Sequence, residues 1–395
     1  MAEFNLPIVL RGSVGFAPVD RNAIIISTFS WNGRSVMNRR GGLVLLILVA
    51  IPFGTLLADQ PAEHRAEAQS SPKPRAEARD GVSPPQTTVL GASQQPISRE
   101  GIEYLQKLRK GTPFGAAQFS LEALRSGMKT RRAPATKGVQ LIQVKVKEIP
   151  CEWVVAPGAN PNIRLLYLHG GGFVSGSGAF YLTLATHISA AAKCVVLLPD
   201  YRLAPEHPFP AGLEDCLTAF EWMRENGPDG PNSAKATLIG GDSAGGNLTL
   251  STLLALRDRG RPLPNGAISL SATTDLMLES KSLQTVNDPI LSARTMPIFR
   301  QLYLGASDAR NPLASPVLGD FRRIPPLLIQ VGEHEMLRDD STRLATKAQA
   351  DGIQVKLEVW QGMFHVFQSH EPLLPEARVA IEHIADFIRS RSLQE

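Results

Sequence analysis

Residues 236–247, ATLIGGDSAGGN, join an apolar run to a glycine-rich segment that opens a helical pattern. The apolar part, ATLIG, is typical of a strand buried on both faces of a sheet. Gly241-Asp242-Ser243-x-Gly245 then has the spacing of a nucleophile elbow, a strained strand-to-helix turn that exposes a serine hydroxyl. The flanking positions must be small, because strand and helix backbones approach closely there. The alternative is a phosphate-binding helix N-terminus, but the sequence has neither GxGxxG nor GxxxxGK[ST].

The chain from Val139 onward alternates β-type runs with helical patterns. The first run places Ile142, Val144 and Val146 on one face and lysines on the other, as expected for a half-exposed edge strand, and later runs are continuously apolar. The eight runs are VQLIQVKVKE (139–148), CEWVVA (151–156), IRLLYL (163–168), CVVLL (194–198), ATLIG (236–240), AISLS (267–271), LLIQV (327–331) and QVKLEVW (354–360). Strands that alternate with helices predict an α/β fold with a mostly parallel, doubly wound sheet.

Two helical segments fall outside this alternation. Residues 98–130 precede the first run and carry Ile102, Leu105 and Leu108 on one helical face. Residues 288–304 are inserted between the sixth and seventh runs. Open α/β sheets bind ligands beyond the carboxyl ends of their strands. We therefore expect both segments to form a helical cap over that edge of the sheet.

A second glycine-rich stretch, His169-Gly170-Gly171-Gly172, directly follows the third run. Acyl transfer develops a negative oxygen in its transition state, and each aligned N–H donor can stabilise that oxygen by about 3 kcal/mol. The HGGG pattern matches the loop that supplies such donors in esterases, where the residue after the nucleophile supplies another. We expect Gly171, Gly172 and Ala244 to form this oxyanion hole, with His169 and Gly170 completing the motif. A flexible turn is the alternative.

A nucleophilic serine needs a base, and the base needs a third group to orient it. On this type of fold the chain order is serine, acid, histidine. Beyond the segment VGEHEMLRDDS (331–341), which follows the seventh run, three histidines remain: His365, His370 and His383. We assign the base to His365, just after the last run, and keep His370 as the alternative. The helical periodicity around His383 indicates a structural position.

The orienting acid is expected just past the seventh run, in the segment VGEHEMLRDDS. Four carboxylates compete there: Glu333, Glu335, Asp339 and Asp340. Asp339 and Asp340 precede a helical pattern, and acids in that position are commonly caps or partners of the helix dipole. Glu333 lies beside the end of the strand. The residues alone leave the choice open.

Taken together, these motifs resemble the hormone-sensitive-lipase-like esterases of the α/β-hydrolase superfamily, and most of all the bacterial GDSAG type. The resemblance extends from about residue 97 to the end of the chain. It rests on a highly specific set of segments: HGGGF, PDYRLAPEHPFPA (199–211), GDSAGGNL, DPIL, SPVLGDFRRIPPLLIQVGEHEMLRDDS and MFHVF.

The resemblance implies an α/β-hydrolase fold with an eight-stranded, mostly parallel sheet, flanking helices and a helical cap, in which the first strand tends to run antiparallel. It implies that Glu335 is the acid, by its spacing to Leu337 and Asp339, although many relatives have Asp there. The segment around Asp200, Tyr201 and Arg202 would support the active-site loops.

The resemblance also implies hydrolysis of short- to medium-chain acyl esters with no metal or organic cofactor. Together with the motifs, it predicts a serine carboxylesterase that works through an acyl-enzyme. A lactone hydrolase or an N-deacetylase with the same triad is the alternative, because one acyl-enzyme route serves all three bonds. A non-catalytic ligand receptor on this fold is a further alternative, but the chain keeps both Ser243 and His365. The expected partner is a small-molecule ester, and homo-oligomer formation stays open.

The first 96 residues differ in composition from the rest. Residues 42–58 are apolar and follow Met37-Asn38-Arg39-Arg40, which is the order of a signal peptide or of an N-terminal membrane anchor. We therefore predict a leader over 1–58, with Met37 as a candidate true start, and a disordered linker over 59–96 that is rich in Pro, Ala, Gln, Ser and Glu. The protein would be exported to the periplasm or medium, or anchored in a membrane. The hydrolase domain would occupy 97–395.

The overall composition excludes several classes of function. A net charge of +4 with one short basic run at 129–132, lacking aromatic residues, argues against nucleic-acid binding. The three cysteines, Cys151, Cys194 and Cys216, cannot form a disulfide framework. The sequence has no CxxC pair or His/Cys cluster typical of a metal site.

Overall fold

The computed structural model describes residues 96–130 and 137–393. In these residues eight strands form one sheet in the order β1-β2-β4-β3-β5-β6-β7-β8. Their bounds are β1 (Gln140–Val146), β2 (Ile149–Val155), β3 (Asn160–Leu168), β4 (Cys194–Pro199), β5 (Ala236–Asp242), β6 (Gly266–Leu270), β7 (Leu327–Gly332) and β8 (Val355–Trp360). Each predicted run corresponds to one strand. The predicted α/β-hydrolase fold with an eight-stranded, mostly parallel sheet is confirmed.

One strand runs against the other seven, and it is the second. β1 pairs antiparallel with β2, and β2 pairs antiparallel with β4, so β1 points the same way as the strands that follow. All other pairs in the sheet are parallel. The expectation that the first strand is the reversed one is therefore wrong. β1 and β2 are joined by a tight turn at Lys147, whose φ is 53°, and such a hairpin reverses the chain at once.

Helices cover both faces of the sheet. Along β3, Leu165 and Tyr167 face one hydrophobic cluster while Leu166 and Leu168 face the other, which is the period of two expected of a strand. The helices are α1 (Arg99–Arg109), α2 (Leu121–Thr130), α3 (Leu182–Ala192), α4 (Ala211–Glu225), α5 (Ala244–Asp258), α6 (Ser282–Thr285), α7 (Met296–Leu304), α8 (Arg338–Ala350) and α9 (Pro375–Ser392). α3 and α9 cover one face, and α4, α5 and α8 cover the other.

The two segments predicted to form a cap pack against each other. A parallel β-bridge pairs Phe114 with Leu291, and the Phe114 amide donates to the Ile290 carbonyl at 2.8 Å. The rings of Phe114 and Phe299 stack with centroids 6.2 Å apart. Residues 98–130 and 288–304 therefore make one layer, although they are far apart in the sequence.

One part of the cap prediction is wrong, and the apolar face of α1 is only partly buried: Leu105 is 7% exposed, whereas Ile102 is 42% exposed. Helical structure was expected from residue 288, but α7 begins at Met296. The preceding turn forms because the Asp288 side chain accepts the amides of Ile290 and Leu291, a local bond that competes with a helix.

Within residues 96–130 and 137–393, no helix combines the length and the apolar character that crossing a membrane requires. The predicted leader with its apolar segment 42–58 and its candidate start at Met37 lies outside the described residues, as does the predicted linker 59–96 except for its last residue. Their roles stay predictions.

Candidate active site

Ser243 lies on a strained turn between β5 and α5. Its backbone has φ 52° and ψ −118°, a conformation that L-residues rarely adopt and that costs on the order of 1–3 kcal/mol. The turn is tight enough to require glycine on both sides of the serine. A Cβ on Gly241 would lie 2.5 Å from the Leu168 carbonyl oxygen, and one on Gly245 would lie 2.0 Å from it. The elbow geometry expected from the sequence is therefore present at this serine.

His365 and Glu335 form a buried pair. Glu335 Oε2 lies 3.0 Å from His365 Nδ1, and the Glu335 side chain is fully buried. The other carboxylate oxygen, Oε1, accepts the Ser271 hydroxyl at 2.8 Å and also the Gly332 amide. The Val366 amide donates to the same Ser271 hydroxyl at 3.2 Å, which ties the histidine loop to the acid. With Nδ1–H donating to the carboxylate, Nε2 is left as the basic nitrogen.

The competing carboxylates are used elsewhere. Glu333 accepts the Gly362 amide, Asp339 accepts the Ser282 amide, and Asp340 accepts the amides of Thr274 and Asp275. Within the described residues, Glu335 is the carboxylate that reaches the ring of His365. The structure thus brings Glu335 to the histidine and keeps the other three away from it.

The two other candidate histidines have different surroundings. His383, on α9, pairs through Nδ1 with Glu358 of β8 at 2.8 Å. His370 packs edge-on against the rings of Phe364 and Tyr104, and burial lowers its pKa. His370 lines the same cavity as Ser243, but it has no bond to a carboxylate in the described part of the chain.

The environment of His365 favours its protonated form. Burial lowers the pKa of the imidazole, but the hydrogen bond and charge of Glu335, with the charges of Asp288 and Asp242, raise it above its usual value of 6.5. A histidine with a raised pKa is a stronger base once it is deprotonated. The same pKa means that the base is blocked by a proton at mildly acidic pH.

Two glycines of the HGGG loop have the backbone expected of a donor loop. Gly171 and Gly172 have φ of +121° and +64°, and a Cβ on Gly172 would lie 2.8 Å from the Phe299 ring. Neither amide donates to another group in residues 96–130 and 137–393. Ala244 is the first residue of α5, and the first amides of a helix have no partner within it. All three amides are therefore available to an oxyanion.

Residues of the HGGG motif, of the segment 199–211 and of the nucleophile elbow hold the glycine loop in place. The His169 ring is buried and stacks on Tyr201 with centroids 4.2 Å apart, and the Tyr201 hydroxyl donates to the His169 carbonyl at 2.6 Å. Asp200 accepts the Gly178 amide at 2.7 Å. Asp242 lies beneath Gly170 and accepts two tyrosine hydroxyls. The segment around Tyr201 thus supports the glycine loop, as expected.

The roles of two polar residues of the site were not predicted from the sequence. Ser271, directly after β6, bridges Glu335 and the His365 loop. Asp288 is buried, accepts the Met336 amide at 3.0 Å, and so fixes the residue next to the acid. The available signals were a serine at the carboxyl end of a strand and the turn-forming Asp-Pro pair of the DPIL segment.

A cavity of about 880 Å³ opens above the serine. Ser243, His365, Gly171 and Gly172 all line it. The remaining lining is mostly apolar, and the cap segments supply much of it: Phe114, Leu124, Met128, Ile290, Leu291, Met296 and Phe299. Among the residues that the structure describes, no group of three His, Cys, Asp or Glu side chains is arranged to hold a metal ion.

Comparison with known proteins gives consistent similarities. Residues 165–369 match the model of a family with the α/β-hydrolase fold. The chain is 41% identical over 250 residues to an acetyl-hydrolase of Streptomyces hygroscopicus, covering 62% of this chain and 82% of that relative. It is 31% identical over 298 residues to an esterase of Acinetobacter venetianus, covering 73% of this chain and 96% of the relative.

Solved structures agree with these sequence matches. The crystal structure of EstE5 soaked with p-nitrophenyl butyrate is 38% identical, with a TM-score of 0.71, and the match covers 75% of this chain and 100% of that one. An esterase of the bacterial hormone-sensitive lipase family is 37% identical with a TM-score of 0.68, over 75% of this chain and 100% of that one.

Proposed function

We propose that this chain, which belongs to the hormone-sensitive-lipase-like esterases of the α/β-hydrolase family, is a serine carboxylesterase that works through an acyl-enzyme. The observation that carries the proposal is that His365, whose ring is held by the buried Glu335, lines one cavity with Ser243 and the glycine loop. A nucleophile, a base with its orienting acid, and free amide donors are the parts that acyl transfer needs.

In the first half of the reaction, Ser243 Oγ attacks the carbonyl carbon of the ester. His365 Nε2 takes the hydroxyl proton, and the carbonyl oxygen becomes an oxyanion that accepts the amides of Gly171, Gly172 and Ala244. When this intermediate collapses, the bond to the alcohol oxygen breaks and His365 returns the proton to the departing alcohol. The product is an ester between the acyl group and Ser243.

In the second half, water attacks the acyl-serine carbonyl while His365 takes a proton from the water. A second oxyanion forms at the same amides. Its collapse releases the carboxylic acid and returns the proton to Ser243. Throughout, Glu335 holds the ring through Nδ1 and stabilises the imidazolium that forms in each half.

We propose acyl groups of short to medium length, and the cavity favours this part of the proposal. Its lining is apolar over the cap segments, so a hydrocarbon chain gains about 0.8 kcal/mol for each methylene that it buries there. Its volume of about 880 Å³ leaves room for such a chain and for an alcohol group. Because the cap forms these walls, we expect the cap to set chain-length preference and to take no part in the chemistry.

A lactone hydrolase or N-deacetylase is the second candidate. The same serine route opens lactones and activated amides, and one relative is named an acetyl-hydrolase, which favours an acetyl group as the acyl part. A non-catalytic receptor is disfavoured, because a binding protein needs neither a buried Glu–His pair nor a serine on a strained elbow.

The test is a panel of acyl esters from acetate to laurate, together with lactones and anilides of matched acyl groups. We expect the highest kcat/KM on a short or medium ester and at least about a tenfold lower value on the matched anilide. A preference for a lactone or an amide would transfer the proposal to the second candidate. Absence of turnover with a correctly folded protein would contradict both.

A further inference from the structure

The carboxylate next to the nucleophile is buried and held by two tyrosines. Asp242 is 1% exposed, and its Oδ1 accepts the Tyr167 hydroxyl at 3.0 Å. Its Oδ2 accepts the Tyr181 hydroxyl at 2.8 Å. Within the described residues Asp242 forms no ion pair. Burial raises its pKa to about 6, although both tyrosine bonds lower it.

The two tyrosines differ in what they reach beyond Asp242. The Tyr181 oxygen also accepts the Gly170 amide at 3.0 Å, whereas the Tyr167 hydroxyl donates to Asp242 and accepts nothing in the described part of the chain. Tyr181 therefore joins the residue before the nucleophile to the residue before the oxyanion glycines. Gly170 precedes Gly171 just as Asp242 precedes Ser243.

Gly170 packs tightly against Asp242 and Tyr181. A Cβ on Gly170 would lie 2.3 Å from Asp242 Oδ2 and 2.8 Å from the Tyr181 oxygen, so the Gly170 backbone rests directly on both groups. On the far side of the loop, the Gly171 carbonyl accepts the Ser175 amide at 3.1 Å and the Ser175 hydroxyl at 2.8 Å. The loop is thus fixed on both sides of Gly171.

We propose that Tyr181 is a positioning residue that sets the distance and direction of the oxyanion amides relative to Ser243. Its hydroxyl transmits the fixed position of the Asp242 carboxylate to Gly170, and through Gly170 to the amides of Gly171 and Gly172. The proposal rests on the serine-esterase function above, and it assigns Tyr181 no contact with the reacting atoms.

The chemistry of the hydroxyl suits this role. A phenol that donates to a carboxylate is polarised, and its oxygen becomes a better acceptor for the Gly170 amide in a site of low dielectric. Without the hydroxyl, the buried Gly170 amide loses the oxygen that accepts it at 3.0 Å, which costs about 1–3 kcal/mol unless the loop moves toward another acceptor such as the Asp242 carboxylate. Movement of the loop displaces the oxyanion donors.

The experiment compares Tyr181→Phe with Tyr167→Phe. Each substitution removes one hydroxyl and one bond to Asp242, but only the first also removes a hydroxyl oxygen that accepts the Gly170 amide. For Tyr181→Phe we expect kcat and kcat/KM to fall together by at least about tenfold, short of the 10²–10³ seen when an oxyanion donor is removed outright. KM should stay unchanged, and Tyr167→Phe should stay within about twofold of the wild type.

A second readout isolates the tetrahedral state. The inhibition constant of a boronic acid, whose serine adduct is tetrahedral, should rise for Tyr181→Phe by the same factor by which kcat/KM falls. Equal kinetics for the two variants would overturn the proposal. So would a rise in KM at unchanged kcat, because Tyr181 lines the cavity and that result would make it a substrate contact.

Thermal melting of both variants shows whether they are folded. If Tyr181→Phe does not fold, 3-fluorotyrosine at position 181 keeps every bond while making the oxygen a weaker acceptor. A lower kcat at constant KM then supports the proposal, and wild-type kinetics refute it. These results are separable from failure of the esterase assignment, which would show as undiminished turnover in Ser243→Ala.

Discussion

Replacing Glu335 by glutamine exchanges one buried oxygen for an amide nitrogen. Oε1 accepts both the Ser271 hydroxyl and the Gly332 amide, so the glutamine oxygen will occupy that side. The NH₂ group must then face His365 Nδ1, where the carboxylate oxygen now lies at 3.0 Å. A donor at that point favours the tautomer with the proton on Nε2, and this tautomer cannot take the proton of Ser243.

The expected loss in kcat is about 10³- to 10⁴-fold, the size of effect that a wrong tautomer has in serine hydrolases. This corresponds to roughly 4–5.5 kcal/mol of transition-state stabilisation. Asp288 does not substitute for the acid, because its oxygens are already committed to the amides of Ile290, Leu291 and Met336. The burial that lowers the pKa of His365 also becomes unopposed by Glu335, so the acid limb of the remaining activity should move to lower pH.

Glu358 offers a matched control. It is a second buried glutamate, 4% exposed, and it pairs with a histidine Nδ1, that of His383, at 2.8 Å. Glu358→Gln should lower Tm by a few degrees, as Glu335→Gln should, but it should leave kcat within about twofold of the wild type. Steady-state kinetics on p-nitrophenyl butyrate, with thermal melting of both variants, make the comparison.

Asp339→Asn tests whether Asp339, and not Glu335, is the acid that orients His365. Asp339 accepts the Ser282 amide at 2.9 Å in the first turn of α8, so its loss should lower Tm while kcat is preserved. If Asp339→Asn inactivates a fully folded enzyme while Glu335→Gln stays near the wild type, Asp339 is the acid and the tautomer argument is wrong. Equal losses for Glu335→Gln and Glu358→Gln would show that the effect is structural.

Three further outcomes follow from the site and the leader. The kcat/KM of the wild type should rise with pH through an apparent pKa above 6.5, because Glu335 stabilises protonated His365; a limb at or below 6.5 in the pH–rate profile contradicts this. Leu124→Trp fills part of the cavity wall, so kcat/KM for laurate should fall at least about fivefold more than for acetate, and equal losses would exclude α2 from chain-length selection. We propose that residues 42–58 direct export, so fractionation of the native host should find the protein outside the cytoplasm, and soluble cytoplasmic protein that retains this stretch would exclude it.

The sequence was sufficient to predict the eight strands and the class of the fold. Continuous apolar runs such as CVVLL and LLIQV mark strands buried on both faces, and each became a strand of the sheet. The glycines around Ser243 are equally informative, because only glycine fits where a Cβ would meet the Leu168 carbonyl at 2.0–2.5 Å. These signals are local, and the backbone geometry they demand is local too.

The structural features that could not be predicted from the sequence depend on contacts between distant residues. The reversed direction of β2 follows from its pairing with β4, which is a choice of partner and not of local conformation. Ser271 and Tyr181 look ordinary in their own segments, and their bonds reach residues 64 and 61 positions away. Asp288 belongs to the DPIL segment, but its bond to Met336 reaches 48 positions along the chain and is not visible in that segment. Ile102 fits the apolar stripe of α1, yet it is exposed, because α1 contacts the core with the side that carries Gly101 and Leu105.

Capture of the acyl-enzyme tests the central claim most directly. The wild-type protein is mixed with p-nitrophenyl butyrate, quenched in acid during the first turnover, digested and mapped by mass spectrometry. We predict one butyryl group, carried by Ser243, together with an initial burst of p-nitrophenol, and neither signal in Ser243→Ala. A butyryl group on another residue, or undiminished turnover by folded Ser243→Ala, would contradict the account.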